Sequence, residues 1–205
     1  MGHQYPFKPI RIPYSMMALS PYLAPDTLYV HYQHYQGRVR ELNRLVVQHR
    51  LTDLTLEEIL TQKINLPVVQ EERLKNAAGA VFNHELFFDG LKAEAGAPPL
   101  NHLVEVLIAT YGSMARFRQL LLEAAQSLPG VGWVWLVGEQ NGGLHLVVTR
   151  DNGTVQLDAV KPILVLDLWE HAYFLDNWFD LPRYVDTWFS LIDWDRANAR
   201  FQSAV

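Results

Sequence analysis

Asp167-Leu168-Trp169-Glu170-His171-Ala172-Tyr173 sets a carboxylate and an imidazole four residues apart. One helical turn brings two such side chains to one face. There they bind a metal ion together or hydrogen-bond to each other. The apolar run Ile163-Leu164-Val165-Leu166 just ahead predicts a short buried strand that delivers Asp167 to its end. Beyond the motif, 169–178 and 184–201 read as helices with Pro182 between them. Upstream, Gly130-Val131-Gly132 opens Trp133-Val134-Trp135-Leu136-Val137, an aromatic and β-branched strand. Asn141-Gly142-Gly143 turns into a second strand at 144–149, and Asp151-Asn152-Gly153 forms another turn.

The first half reads as helices. Segment 27–50 holds no proline and places Leu28, His31, Tyr32, Tyr35, Val39 and Leu42 at helical spacing, with Asp26 as the expected cap. A short helix at 55–60 stops before Pro67, and a long one covers 68–91. Ala95-Gly96-Ala97-Pro98-Pro99 is the expected linker, since adjacent prolines cannot continue a helix. A helix or helix pair follows at 101–127. Helices, then a small antiparallel sheet, then helices give an α+β fold with units at 1–95 and 96–205.

Composition narrows the function. The chain has 205 residues, 49% hydrophobic and 19% charged, enough for a sizeable core. A net charge of −5 argues against nucleic acid or an anionic membrane surface as partner. Cysteine is absent, which removes disulfides, thiolate nucleophiles and cysteine-zinc sites. No apolar run approaches the roughly 20 residues of a membrane span, and no secretory signal pattern opens the chain. A cytoplasmic protein is the expectation.

Eight histidines remain to be placed. His3 lies at the terminus, and His49, His102 and His145 stand outside any motif. His84, in Asn83-His84-Glu85-Leu86-Phe87-Phe88, follows the small residues Ala77-Ala78-Gly79-Ala80, which let another helix approach closely. His31 lies on the apolar side of the first long helix. Each of these two alone is more readily a core histidine than a ligand. With Asp167 and His171 they form a donor set suited to iron, manganese or zinc.

These stretches together resemble the iron/manganese superoxide dismutases. Ile12-Pro13-Tyr14, Leu19-Ser20-Pro21-Tyr22 and His31 are similar to the family's opening. The segment from Asn76 through Phe88 resembles its second ligand helix, the run from Gly130 to Leu136 its first strand, and Asp167 to Tyr173 its D-x-W-E-H-A-Y signature. Ile192-Asp193-Trp194 also fits. The resemblance implies an N-terminal α-hairpin domain packed on a C-terminal α/β domain. It implies one Fe or Mn per chain, held by His31, His84, Asp167 and His171 with one solvent molecule. Superoxide would be the substrate, dismuted to oxygen and hydrogen peroxide. It places Trp169 and Glu170 in the site, and implies a homodimer in which Glu170 reaches the partner's His171.

Departures from the family pattern fall around the ligands. The first helix reads His31-Tyr32-Gln33-His34-Tyr35-Gln36-Gly37-Arg38, about one residue short. With a gap after Gln33, His34 takes the family's second-histidine position and Arg38 its gateway tyrosine position. Without a gap, Tyr35 lies one turn from His31. Arginine attracts an anion but does not relay a proton as a phenol does. The family's solvent-holding glutamine is absent: Ala80 stands at its helix position, and Asp151-Asn152-Gly153 at its loop position. Phe88 and Phe174 replace aromatic residues of other types. Alternative readings are a metal-binding relative with weak or different activity and a non-catalytic interaction protein. A zinc hydrolase is disfavoured for want of a separate general base.

Overall fold

Helix α1 (Pro25–Gln48) buries Leu28, His31, Tyr35, Val39, Leu42, Leu45 and Val46 along one side. Residues three and four apart share a helix face, so this stripe follows from the sequence spacing. The computed structural model describes residues 4–93 and 96–203. After the short helix α2 (Leu56–Thr61), helix α3 (Val68–Asp89) runs back and packs on α1 as a hairpin. Its middle, Ala77 to Val81, is buried throughout because small side chains let neighbours close in from several sides. His3 and Ala95, the terminal histidine and the first linker residue, fall outside the described residues.

Helices α4 (His102–Tyr111) and α5 (Met114–Ser127) are a pair, each capped by a side chain, Asn101 and Ser113. Strands β1 (Gly132–Gly138), β2 (Leu144–Arg150) and β3 (Lys161–Asp167) form an antiparallel sheet in the order β2-β1-β3. The central strand β1 is buried at every residue. Trp133 lies opposite Asp167 in the β1–β3 register, so the two side chains share one face of the sheet. Helices α6 (Glu170–Asn177), α7 (Leu181–Phe189) and α8 (Trp194–Gln202) complete the α+β fold. No described helix is long and apolar enough to cross a membrane.

Four local expectations need correction. Asp26 does not cap α1: Ala24 holds the N-cap position, Pro25 starts the helix, and Asp26 sits in its first turn. The Ala24 N–H goes instead to Asp176 Oδ2 of α6 at 2.9 Å. Asp167 and His171 are not one helical turn apart, since Asp167 ends β3 and α6 begins only at Glu170. The segment 184–201 is two helices, with Pro182 inside the first turn of α7. Tertiary contacts cause that break: Ile192 bridges Leu91, Asp193 donates its N–H to Gly90 O, and the Asp193 side chain caps α8.

The same contacts tie the end of the hairpin to the C-terminal half. Lys92 N–H donates to Leu191 O at 2.8 Å. Arg200 donates to Asp89 at 2.8 Å and to Ile163 O at 3.0 Å. The site helix α6 is anchored to α1 and the sheet to α3, which fixes four ligand-bearing elements against one another.

Candidate metal centre

Four donor side chains from four elements meet between the hairpin and the sheet. His31 comes from α1, His84 from α3, Asp167 from the end of β3 and His171 from the first turn of α6. One ligand atom from each lies within 4.8 Å of all the others. His31 Nε2, His171 Nε2 and His84 Nε2 stand 3.0, 3.3 and 3.7 Å from Asp167 Oδ2. His31, His84 and Asp167 are buried, and His171 is slightly exposed. His31 Nε2 and Asp167 Oδ2 are buried without a properly formed hydrogen bond. Burying them so is costly unless something else takes their lone pairs. A cation at the centre of the four would do so, and the cluster is able to bind one metal ion.

The surroundings orient each donor. His84 Nδ1 donates to the Ala80 carbonyl at 2.6 Å, which fixes the proton there and leaves the Nε2 lone pair facing the cluster. Asp167 Oδ1 accepts the Trp169 N–H at 2.8 Å, so Oδ2 is the free oxygen. The His31 ring is held against Phe87 and Phe88 at 4.9 and 4.8 Å. Trp133 meets His84 edge-on at 5.0 Å. Burial keeps His31 and His84 below the ordinary histidine range, with Asp167 opposing the shift in both. Burial pushes Asp167 the other way, but the close approach of His171 and His31 outweighs it and holds the carboxylate ionised.

The remaining sequence-predicted residues sit around this cluster. Helix α1 runs unbroken, so His34 and Tyr35 follow His31 by three and four residues and both flank the site. The His34 ring stacks on His171 at 4.0 Å. Arg38 Nε donates to His34 Nε2 at 3.3 Å, and Arg38 Nη1 donates to Glu41 at 3.0 Å. A guanidinium only donates, so His34 Nε2 is an acceptor and its proton sits on Nδ1. Burial, then His171 and Arg38, lower His34 to about 4. Arg38 thus bridges the His34 ring and Glu41. Glu41 also lies 3.6 Å from Arg73, so two cations share one acid.

Tyr35 is fully buried beside His84, its hydroxyl donating to Glu85 Oε1 and accepting the Ile10 N–H, each at 2.9 Å. Burial, with Glu85 next in effect, raises the phenol well above its ordinary value. Trp169 stacks on His171 at 5.8 Å and donates its indole N–H to Asp151 O at 3.1 Å. Glu170 is exposed in the single chain. His102 and His145 are exposed and His49 half-buried, and none joins the cluster. Sequence reading missed Asn83 and Trp133 as site neighbours. The strand register that sets Trp133 beside Asp167 cannot be read from either strand alone.

A helical hairpin packed on a helix-flanked antiparallel sheet, with three histidines and one aspartate gathered between them, defines a class of α+β metal-site protein. Residues 6–92 match the family profile described as iron/manganese superoxide dismutases, alpha-hairpin domain. Residues 99–200 match that of the C-terminal domain of the same family. The chain is 31% identical over 193 residues to "Superoxide dismutase [Fe]" of Legionella pneumophila, covering 94% of this chain and 97% of the relative. It is 33% identical over 196 residues to "Superoxide dismutase [Mn]" of Listeria monocytogenes, covering 95% and 96%. To "Superoxide dismutase [Fe]" of Escherichia coli it is 33% identical over 185 residues, covering 90% and 92%. The chain belongs to the iron/manganese superoxide dismutase family.

Proposed function

We infer that this chain is a superoxide dismutase working with one iron or manganese ion held by His31, His84, Asp167 and His171. The cluster itself carries the reading: four converging donors, two of them buried and unpartnered, in a member of this family. When bound, such an ion supplies the one-electron chemistry by which two superoxide anions and two protons become oxygen and hydrogen peroxide. The chain's residues do the rest. Ionised Asp167 offsets part of the cation's charge, and the Ala80 carbonyl keeps the His84 lone pair presented. Phe87, Phe88 and Trp133 wall the cluster with apolar surface, which limits solvent access and tunes the site.

Arg38 and His34 form the approach. Arg38 is about a quarter exposed, so its charge reaches incoming anions. Arg73 lies near the same Glu41, so Arg38 shares that acid with a second cation. His34, held as a neutral acceptor by Arg38, lies flat on the His171 ring and fixes its orientation. Tyr35 braces His84 and keeps its proton, because both hydroxyl contacts are already made. Trp169 packs its ring against His171 as well, next to His34.

The same reading includes a homodimer. His171 turns Nε2 into the cluster, so its Nδ1 faces the other way, next to exposed Glu170. A ligating histidine usually donates its second N–H to a carboxylate or carbonyl. A two-fold contact would give each Glu170 the partner's His171. The end of α6 supports a contact here: Leu175, Trp178 and Phe179 are 57%, 68% and 79% exposed. Trp178 also holds a strained backbone, φ 51° and ψ −123°, a conformation that suits glycine. Exposed apolar residues kept at a strained turn fit an interface. We read the chain as two domains, 1–95 and 96–205, in line with family matches that end at 92 and resume at 99. A cytoplasmic home suits a cysteine-free chain.

His31→Ala tests the ligand set. Removing the imidazole between Phe87 and Phe88 should strip most iron or manganese and abolish superoxide decay in proportion. Full metal content and full rate in the variant would refute the assignment.

A further inference from the structure

Two polar atoms beside the cluster are buried without a partner among the described residues. Asn83 is fully buried: its Nδ2 donates to Gly153 O at 3.3 Å, and its Oδ1 meets nothing. Gly153 O can only accept, so it fixes which way the carboxamide points. The Trp133 indole is also fully buried, and its Nε1 has no acceptor. A lone buried polar group is costly, and nearly all such groups in folded proteins are satisfied.

Helix and strand geometry bring both residues beside His84. Ala80 precedes Asn83 by three residues and His84 by four, so all three share one face of α3. Ala80 is fully buried, and its single methyl fills little of that face. Trp133 faces it from β1, opposite Asp167 in register and edge-on to His84 at 5.0 Å. Ala80, Asn83 and His84 thus bring a methyl, an amide acceptor and a ligand imidazole to the part of α3 that Trp133 packs against.

We propose that Asn83 Oδ1 and Trp133 Nε1 hold a water molecule over Ala80, and that this water is the chain's hydrogen-bonding contact to the solvent carried by the metal. The water accepts from Trp133 Nε1 and donates one hydrogen to Asn83 Oδ1. One hydrogen and one lone pair stay free to face the cluster, which matches the roughly three bonds typical of a buried water. Unlike a side-chain amide, a water can turn to donate or accept, so it can follow a change in protonation next to it. The link to metal-carried solvent rests on the function proposed above; the water site does not.

A crystal structure of the metal-loaded protein with ordered waters resolved tests the site directly. A water within hydrogen-bond distance of both atoms is the expected result. Its absence, or a protein group satisfying both atoms instead, would overturn the proposal. Two variants read the same site in solution. Ala80→Gln offers both an acceptor for Trp133 and a donor for Asn83, so it should displace the water and keep the thermal midpoint. Ala80→Leu fills the space without polar atoms, so it should lower the midpoint and shift the reduction potential of the bound metal at unchanged metal content. Equal thermal midpoints for the two variants would contradict the water site. An unmoved potential in Ala80→Leu would contradict its link to the metal. A well-ordered water in a protein that binds no iron or manganese would defeat the proposed function and leave the water site standing.

Discussion

Gly79→Ala is a one-methyl change whose cost can be worked out from the structure. Gly79 lies in the middle of α3, where the backbone of the 151–153 loop rests on the helix. A Cβ there would meet Asn152 O at 2.0 Å and Asn152 C at 3.2 Å. Ordinary contact begins near 3.4 Å, so the loop must retreat by about 1.4 Å. The loop is pinned on both sides, by Asn152 Nδ2 to Asn76 Oδ1 at 3.2 Å and by Asn83 Nδ2 to Gly153 O at 3.3 Å. Retreat breaks these bonds at about 1 kcal/mol each and adds overpacking strain of about 1–3 kcal/mol. Alanine's helix preference returns about 1 kcal/mol. The net loss is about 2–4 kcal/mol, or roughly 4–16 °C in thermal midpoint for a chain of this size. The displaced loop also carries Asp151 O, the acceptor for Trp169 Nε1, so the ring packed against His171 loses its anchor and metal retention should fall. Thermal melts and metal analysis of the variant check both effects. A variant at least as stable as the parent, with unchanged metal content, would refute the close-approach argument.

Three further outcomes follow from the site. Arg38→Ala should slow superoxide decay at low ionic strength and flatten its salt dependence, while Glu41→Gln should steepen it; stopped-flow decay at several salt concentrations reads both, and an unchanged slope in Arg38→Ala removes Arg38 from the approach. Trp178→Gly should relieve the strained turn and leave the isolated chain at least as stable, yet weaken self-association in a light-scattering dilution series; an equally tight dimer would exclude Trp178 from the interface. Acid should weaken the metal-free protein. His31 and His84 are lowered by burial and His34 sits at about 4, so the unfolded chain gains protons first as pH drops below about 6.5. Their contribution is therefore full above that pH and falls from about pH 7 towards 4, and stability in urea that rises over this interval would contradict it.

The sequence carried most of the fold because its elements are strongly patterned. The α1 stripe, the small-residue stretch of α3 and the aromatic β1 strand each formed where their periodicity placed them. All four clustered donors lay in readable motifs. What stayed hidden depends on tertiary partners. The break between α7 and α8 comes from Leu91 bridging Ile192, a contact 101 residues apart in the chain (192 minus 91). The choice between Arg38 and Tyr35 could not be made from spacing, since the outcome depends on who bonds each head group. Arg38 reaches both His34 and Glu41, and Tyr35 is taken up by Glu85 and Ile10. Trp133 joined the site only through the β1–β3 register.

Metal reloading tests the central claim most directly. The protein is stripped by chelation, refilled stepwise with iron or manganese, and assayed for superoxide decay at each step. The account predicts saturation near one ion per chain and a decay rate that rises in proportion to occupancy from a metal-free baseline. Decay that is independent of metal content, or no binding of either ion by the folded chain, would contradict it.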